Sequence, residues 1–111
     1  MSLRRDAIEL SKVLNQIVAD LHNFNADKRS SYTNDLARSL APIVTAYDQA
    51  VFEYKSRTAA SDALSDIGQY MHEVNGAATK GEINFTSANV LNKYWRLRTI
   101  FQESRYRDQV L

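Results

Sequence analysis

The fold is decided by residues 6–24, DAIELSKVLNQIVADLHNF, in which apolar residues recur at steps of three and four. Only a helix brings residues at this spacing onto one face, so the stretch predicts an amphipathic helix. The apolar stripe of this first helix is predicted to comprise Leu10, Val13, Leu14, Ile17, Val18, Leu21 and Phe24.

A second helix is predicted to begin at Ser30 or Ser31, because a serine hydroxyl can accept a hydrogen bond from an unpaired amide of the first turn. Its apolar positions are Leu36, Leu40, Ile43 or Val44, Tyr47 and Val51. Pro42 falls within this stripe, where it lacks a backbone donor and clashes with the carbonyl of Arg38. We expect a kink at Pro42 and not two separate helices, because the apolar spacing continues through it in phase.

Residues 55–63, KSRTAASDA, form the next polar connection. Ser61 is the predicted N-cap of a third helix, with Asp62 beside the positive helix end. The stripe of this helix is predicted to be Leu64, Ile67, Met71 and Val74. Asn75-Gly76 is a typical stop signal, but the helix can also extend toward Gly81.

The last helix follows residues 83–86, Ile-Asn-Phe-Thr. With Thr86 as N-cap, Phe85 precedes the cap and Val90 is the fourth helical position, which is the pairing of a hydrophobic staple. Phe85 and Ile83 are therefore expected in the core. The stripe is predicted to continue through Val90, Tyr94, Leu97 and Phe101.

Four helical segments of comparable length with short connections favour antiparallel neighbours. The chain has 111 residues with three Gly and one Pro, which leaves room for one hydrophobic core and few turns. We therefore predict an all-α fold, an antiparallel up-and-down four-helix bundle. Residues 1–111 form a single domain that ends in a charged, aromatic tail.

Composition argues against several classes of protein. The chain has no cysteine, so a disulfide framework and a thiolate metal site are excluded. A net charge of +1 argues against a general nucleic-acid binder, which usually carries a strong basic excess. No run approaches the ~18 apolar residues of a membrane-spanning helix, and no apolar run follows the N-terminal arginines. We expect a cytoplasmic protein.

The sequence shows no catalytic or metal-binding motif. His22 and His72 are the only histidines, and neither has the ligand spacing of a bundle metal site. His72 is followed by Gly at the fourth position, as is the phosphorylated histidine of phosphotransfer domains, but Asn75 stands where those domains carry Lys. We expect no enzyme activity and no cofactor, and we place His72 on the polar flank of the third helix.

The candidate binding residues lie at the C-terminal end. Residues 93–111 contain five basic and two acidic residues, whereas residues 1–92 are net acidic. Trp, Tyr and Arg carry much of the binding energy at protein interfaces. The predicted partner-binding residues are Lys93, Trp95, Arg96, Arg98, Arg105, Tyr106 and Arg107. Trp95 lies beside the apolar stripe, so it can equally be a core residue whose indole nitrogen reaches the surface.

Residues 61–104 resemble the immunity proteins of class IIa (pediocin-like) bacteriocins, of the enterocin A immunity type. The resemblance rests on ALSDIGQYMHEVNGAATK at 63–80, on Ile83-Asn84-Phe85-Thr86 just before the last helix, and on an amphipathic last helix with a charged aromatic tail. Residues 6–54 resemble the family only in helix length and apolar stripe.

The resemblance implies a cytosolic helical bundle that protects a bacterium from an antimicrobial peptide. Such proteins act at the inner side of the mannose phosphotransferase permease when toxin is bound, and the C-terminal half decides which toxin is countered. The seven candidate residues would then form a recognition surface near the membrane, where basic residues are favoured by an anionic leaflet. The alternative is a helical adaptor or phage-type regulatory protein that binds a partner, or its own copy, through the last helix.

Overall fold

A computed structural model describes residues 3–28, 31–79 and 88–102 of the chain. These residues form four helices: α1 (Leu3–Lys28), α2 (Ser31–Phe52), α3 (Arg57–Thr79) and α4 (Ala88–Gln102). Helices that follow one another along the chain pack together, and α4 returns to pack against α1. The predicted all-α four-helix bundle is confirmed.

The core is built from the predicted stripes of the first three helices. The buried side chains on these helices include Leu10, Val13, Leu14, Ile17, Leu21, Leu36, Leu40, Val44, Tyr47, Val51, Leu64, Ile67, Met71 and Val74. Leu3 and Ala7 are also buried, and Leu3 belongs to α1 because this helix begins three residues earlier than predicted. Val18 and Ile43 are half-buried at the edge of the core, and the side chain of Phe24 lies outside the described residues.

Polar side chains tie α1 to α2 along one edge of the core. The buried Tyr47 hydroxyl donates a hydrogen bond of 2.7 Å to the Ala7 carbonyl. Beside it on α2, the Asp48 carboxylate accepts hydrogen bonds from the Ser11 hydroxyl and from Asn15 Nδ2, which lie one and two turns after Ala7 on α1. Since early α1 residues contact late α2 residues, the two helices run antiparallel.

Pro42 lies inside α2, which continues from Ser31 to Phe52 without a break. The division into two helices that Pro42 could have caused therefore does not occur. Pro42 is exposed, so the Arg38 carbonyl that loses its backbone donor lies on the solvent side of the helix. Thr45 Oγ1, one turn later, donates to the Ala41 carbonyl at 3.0 Å.

The predicted start of α3 at Ser61 is wrong, because the helix begins at Arg57. Ser56 is the N-cap, and its Oγ accepts a hydrogen bond of 3.1 Å from the Ala59 amide. The turn before it is compact: Lys55 adopts a left-handed φ of 51°, and the Ser56 amide donates to the Ala50 carbonyl. Asp62 therefore lies beyond the first turn, where the helix dipole has little effect on it.

Helix α3 continues through Asn75 and Gly76 to Thr79, so that pair does not act as a stop signal. On α4, Tyr94, Leu97 and Phe101 are buried as predicted. In the first turns of α4 the buried residue is Leu91, whereas the predicted Val90 is only half-buried and lines the space beside α1. The predicted cap and staple residues, Ile83, Phe85 and Thr86, lie outside the described residues.

The register of α4 predicts that truncation of Leu91 lowers the free energy of unfolding more than truncation of its neighbour Val90. Leu91→Ala removes a side chain that is 4% exposed and should lower the free energy of unfolding by about 2–5 kcal/mol. Val90→Ala, at the half-buried neighbouring position, should cost about 1 kcal/mol. Urea unfolding followed by circular dichroism measures both, and a larger loss in Val90→Ala would place the stripe at Val90.

The position at which α3 starts predicts that replacing Ser56 and replacing Ser61 by Ala change the stability of the protein differently. Ser56→Ala removes the cap and should cost about 1 kcal/mol of stability. Ser61→Ala, within the helix, should be neutral or slightly stabilising, since Ala is the better helix former. Thermal unfolding of the two variants checks this, and equal losses would contradict the assigned N-cap.

Candidate functional site

The four described candidate residues, Lys93, Trp95, Arg96 and Arg98, all lie on α4, and we call them the α4 face. They are not one uniform patch, because they point to both flanks of the helix. Lys93 reaches α1, whereas Trp95 and Arg98 reach α3, and Arg96 is exposed. Arg105, Tyr106 and Arg107 lie outside the described residues.

Lys93 is held by an ion pair with α1. Its Nζ lies 2.7 Å from Glu9 Oε1, and the two side chains are 41% and 39% exposed. The hydrogen bond from Lys93 holds the pKa of Glu9 below its ordinary value, with smaller contributions from the charges of Lys93, Arg96 and Arg5. A pair this exposed stabilises the fold by at most about 1 kcal/mol. Glu9 therefore neutralises much of the charge of Lys93.

Trp95 is half-buried and packs against the core, so it is both a core residue and part of the surface. Its ring meets Tyr94 edge-on with centroids 5.0 Å apart, and it lies 6.0 Å from the ring of the exposed His72 on α3. The guanidinium of Arg98 lies over the Trp95 ring at 5.7 Å from its centroid. This cation–π contact, of a kind worth about 0.5–1 kcal/mol, favours placing both side chains on the α3 flank.

The guanidinium of Arg98 packs against the backbone of α3 at Gly68. A Cβ added at Gly68 would lie 3.4 Å from Arg98 Nη2, which is van der Waals contact distance. Arg98 Nε is buried and has no hydrogen-bond acceptor among the described residues. The charge of Arg98 is therefore held by an aromatic ring and not by a carboxylate of a described helix.

A groove of about 700 Å³ runs between α1 and α4, beside Lys93. Its apolar side chains are Ile8, Val13 and Val90, and its basic side chains are Arg4, Arg5, Lys12 and Lys93. We call it the α1–α4 groove. Sequence reasoning missed its α1 residues, although a signal was present: Arg4, Ile8 and Lys12 recur at steps of four, which places them on one helix face beside the apolar stripe.

Tyr94 is completely buried beneath the α4 face. Burial raises the pKa of its hydroxyl to about 12, partly opposed by the positive charge of Arg98. Its hydroxyl has no hydrogen-bond partner among the described residues, whereas the hydroxyl of the equally buried Tyr47 donates to the Ala7 carbonyl. The two tyrosines fill the core alike but differ in hydrogen bonding.

The described residues contain no group of three or more His, Asp or Glu side chains placed to hold a metal ion. None of the described helices combines the length and apolarity needed to cross a bilayer. What the α4 face offers is an aromatic ring, two arginines and a neighbouring basic groove with an apolar floor. Such a surface suits the binding of another macromolecule.

Comparisons of the chain with protein-family models, with curated proteins and with solved structures give no match.

The two buried tyrosines predict opposite effects of the same substitution. Tyr47→Phe removes a buried hydrogen bond and should lower the free energy of unfolding by about 1 kcal/mol. Tyr94→Phe removes a buried hydroxyl without a described partner and should leave stability unchanged or raise it by about 1 kcal/mol. Urea unfolding at pH 7 compares them, and a clear loss in Tyr94→Phe would show that its hydroxyl is hydrogen-bonded.

Proposed function

We propose that this chain is a non-enzymatic immunity protein that protects a bacterial cell from a pediocin-like antimicrobial peptide. In this role it binds the toxin-engaged mannose phosphotransferase permease at the cytosolic side of the membrane. The α4 face makes the contact, and no covalent chemistry is required, because a protein bound at the inner mouth of a pore can block it.

The observation that carries the proposal is the arrangement of Trp95, Arg96 and Arg98 on one short helix. Trp95 packs against the core and Arg98 lies over its ring, which reduces the side-chain entropy lost when a partner binds them. Arg96 is exposed beside them. A rigid aromatic anchor with adjacent guanidinium groups is typical of the residues that dominate binding energy.

The charges of the α4 face also support a site near a membrane. Lys93 is paired with Glu9. Among the described residues of the α4 face, Arg96 and Arg98 therefore carry most of the uncompensated positive charge. The α1–α4 groove adds Arg4, Arg5 and Lys12 on the adjoining flank. Basic residues near an anionic leaflet contribute about 1 kcal/mol each to attraction, which would concentrate the protein beside its partner.

The second candidate function is a helical adaptor or phage-type regulatory protein that binds a partner, or itself, through α4. The α1–α4 groove favours this reading, because its apolar floor, formed by Ile8, Val13 and Val90, can receive side chains of a partner helix. The two functions differ in whether the chain alone protects a cell from toxin.

Expression of the chain in a strain sensitive to pediocin-like peptides tests the proposal. Cells that produce the wild-type chain should survive peptide concentrations that kill the parent strain. Arg96→Ala should reduce protection at least about tenfold in minimal inhibitory concentration, since the lost side chain sits at a binding hot spot. Trp95→Ala and the tail changes Arg105→Ala and Arg107→Ala should also reduce it.

Arg38→Ala is the matched control, because Arg38 is an exposed helical arginine on α2, away from the α4 face. It should leave protection unchanged, and both arginine variants should retain the helical content and melting temperature of the wild type. A panel of pediocin-like peptides against which the wild-type chain gives no protection would reject the immunity function and leave the adaptor. Equal losses in Arg96→Ala and Arg38→Ala would reject the α4 face as the site.

A further inference from the structure

A second groove lies on another side of the bundle, between α2 and α3. It has a volume of about 430 Å³, and its walls are mostly small or apolar: Pro42, Ile43, Ala46, Ala50, Ala59 and Ala63. We call it the α2–α3 groove. From Pro42 to Ala50 it spans nine residues of α2, and the eight steps between them cover about 12 Å at the rise of an α-helix. A trough of this length accepts two or three side chains from a docked helix.

The charged side chains that line the α2–α3 groove are both acidic, Asp62 and Asp66. They stand four residues apart on α3, where like charges destabilise a helix by about 0.2–0.5 kcal/mol. Both are exposed, and neither forms an ion pair or hydrogen bond with another residue of the described helices. Because α3 begins at Arg57, the helix dipole does not account for Asp62 either.

An exposed aromatic side chain marks one end of this groove. Tyr54 lines it and is 67% exposed. Phe52, the other exposed large hydrophobic side chain of the described residues, does not line the groove. Aromatic residues at the rim of an apolar trough extend the area that a partner can cover.

We propose that the α2–α3 groove docks a cationic amphipathic helix of a partner protein. The partner's apolar side chains enter the alanine-lined trough, and two Lys or Arg residues one turn apart pair with Asp62 and Asp66. Pairing with cations removes the repulsion between these carboxylates. The charge of the groove therefore favours a partner of positive charge. This site is separate from the α4 face and does not depend on its function.

The test uses the full chain and a fluorescein-labelled helical peptide of about 14 residues, roughly four turns, with Leu on one face and Lys on its flanks. Fluorescence anisotropy at low salt should show saturable binding. Asp62→Asn/Asp66→Asn should weaken it about three- to tenfold, since two exposed charge pairs are lost. Ala46→Arg, which adds bulk and positive charge at an exposed position of the trough, should weaken it at least as much.

The control variant Asp35→Asn/Glu73→Gln makes the same charge change at exposed positions outside the groove and should bind like the wild type. A control peptide with Glu in place of each Lys should not bind. The proposal is overturned by absence of binding, by equal affinity of wild type and Asp62→Asn/Asp66→Asn, or by equal losses in the two double variants. It is also overturned if sedimentation shows a dimer that Asp62→Asn/Asp66→Asn dissociates, because a second copy would then occupy the groove.

Discussion

The burial of one apolar stripe on α4 against α1 holds the C-terminal part of this bundle together. A helix of 15 residues is marginal in water on its own, so α4 depends on tertiary contacts for its stability. Leu91, Tyr94, Leu97 and Phe101 supply these contacts, and α4 packs far more extensively on α1 than on α3. On the α3 side, the ring of Trp95 lies beside His72 and the guanidinium of Arg98 lies against Gly68.

This unequal packing determines what α4 presents to its surroundings. On one flank α4 packs against α1, and Lys93 pairs with Glu9 beside the α1–α4 groove. The other flank holds an aromatic ring and a guanidinium at a lightly packed seam. Because the helices follow one another around the bundle, the α1–α4 and α2–α3 seams lie on opposite sides. The charged side chains of the first groove are four basic residues and Glu9, whereas both charged side chains of the second groove are carboxylates. A chain with grooves of opposite charge on opposite sides is suited to contact two different partners.

Much of the fold follows from the spacing of apolar residues, which predicts the described positions of the first three stripes correctly because burial of each stripe is the dominant contribution to stability. Local signals were less decisive. Ser56 and Ser61 are both suitable caps, and the choice between them depends on the Lys55 turn, a left-handed conformation that the sequence does not mark with Gly. At the start of α4, Val90 and Leu91 fit the stripe equally well in sequence, and only packing against α1 distinguishes them.

The surface was harder to predict because its contacts join residues that are distant in sequence. Nothing near Lys93 in the sequence indicates that it will pair with Glu9, and nothing near Arg98 indicates that it will pack against Gly68. The spacing of the groove residues becomes meaningful only once the structure is known. Arg4, Ile8 and Lys12 recur every four residues along the first groove, and Asp62 and Asp66 are four residues apart in the second.

The central claim is that α4 is held by α1 and so carries its Trp and Arg side chains at the α3 seam and the outer surface. Nuclear Overhauser contacts from the Tyr94 and Phe101 rings and the Leu97 methyls of the full chain test it most directly. We predict that these groups show more contacts to α1 side chains than to α3. Contacts mainly to α3, or none to α1, would contradict this packing and the exposure of the α4 face that follows from it.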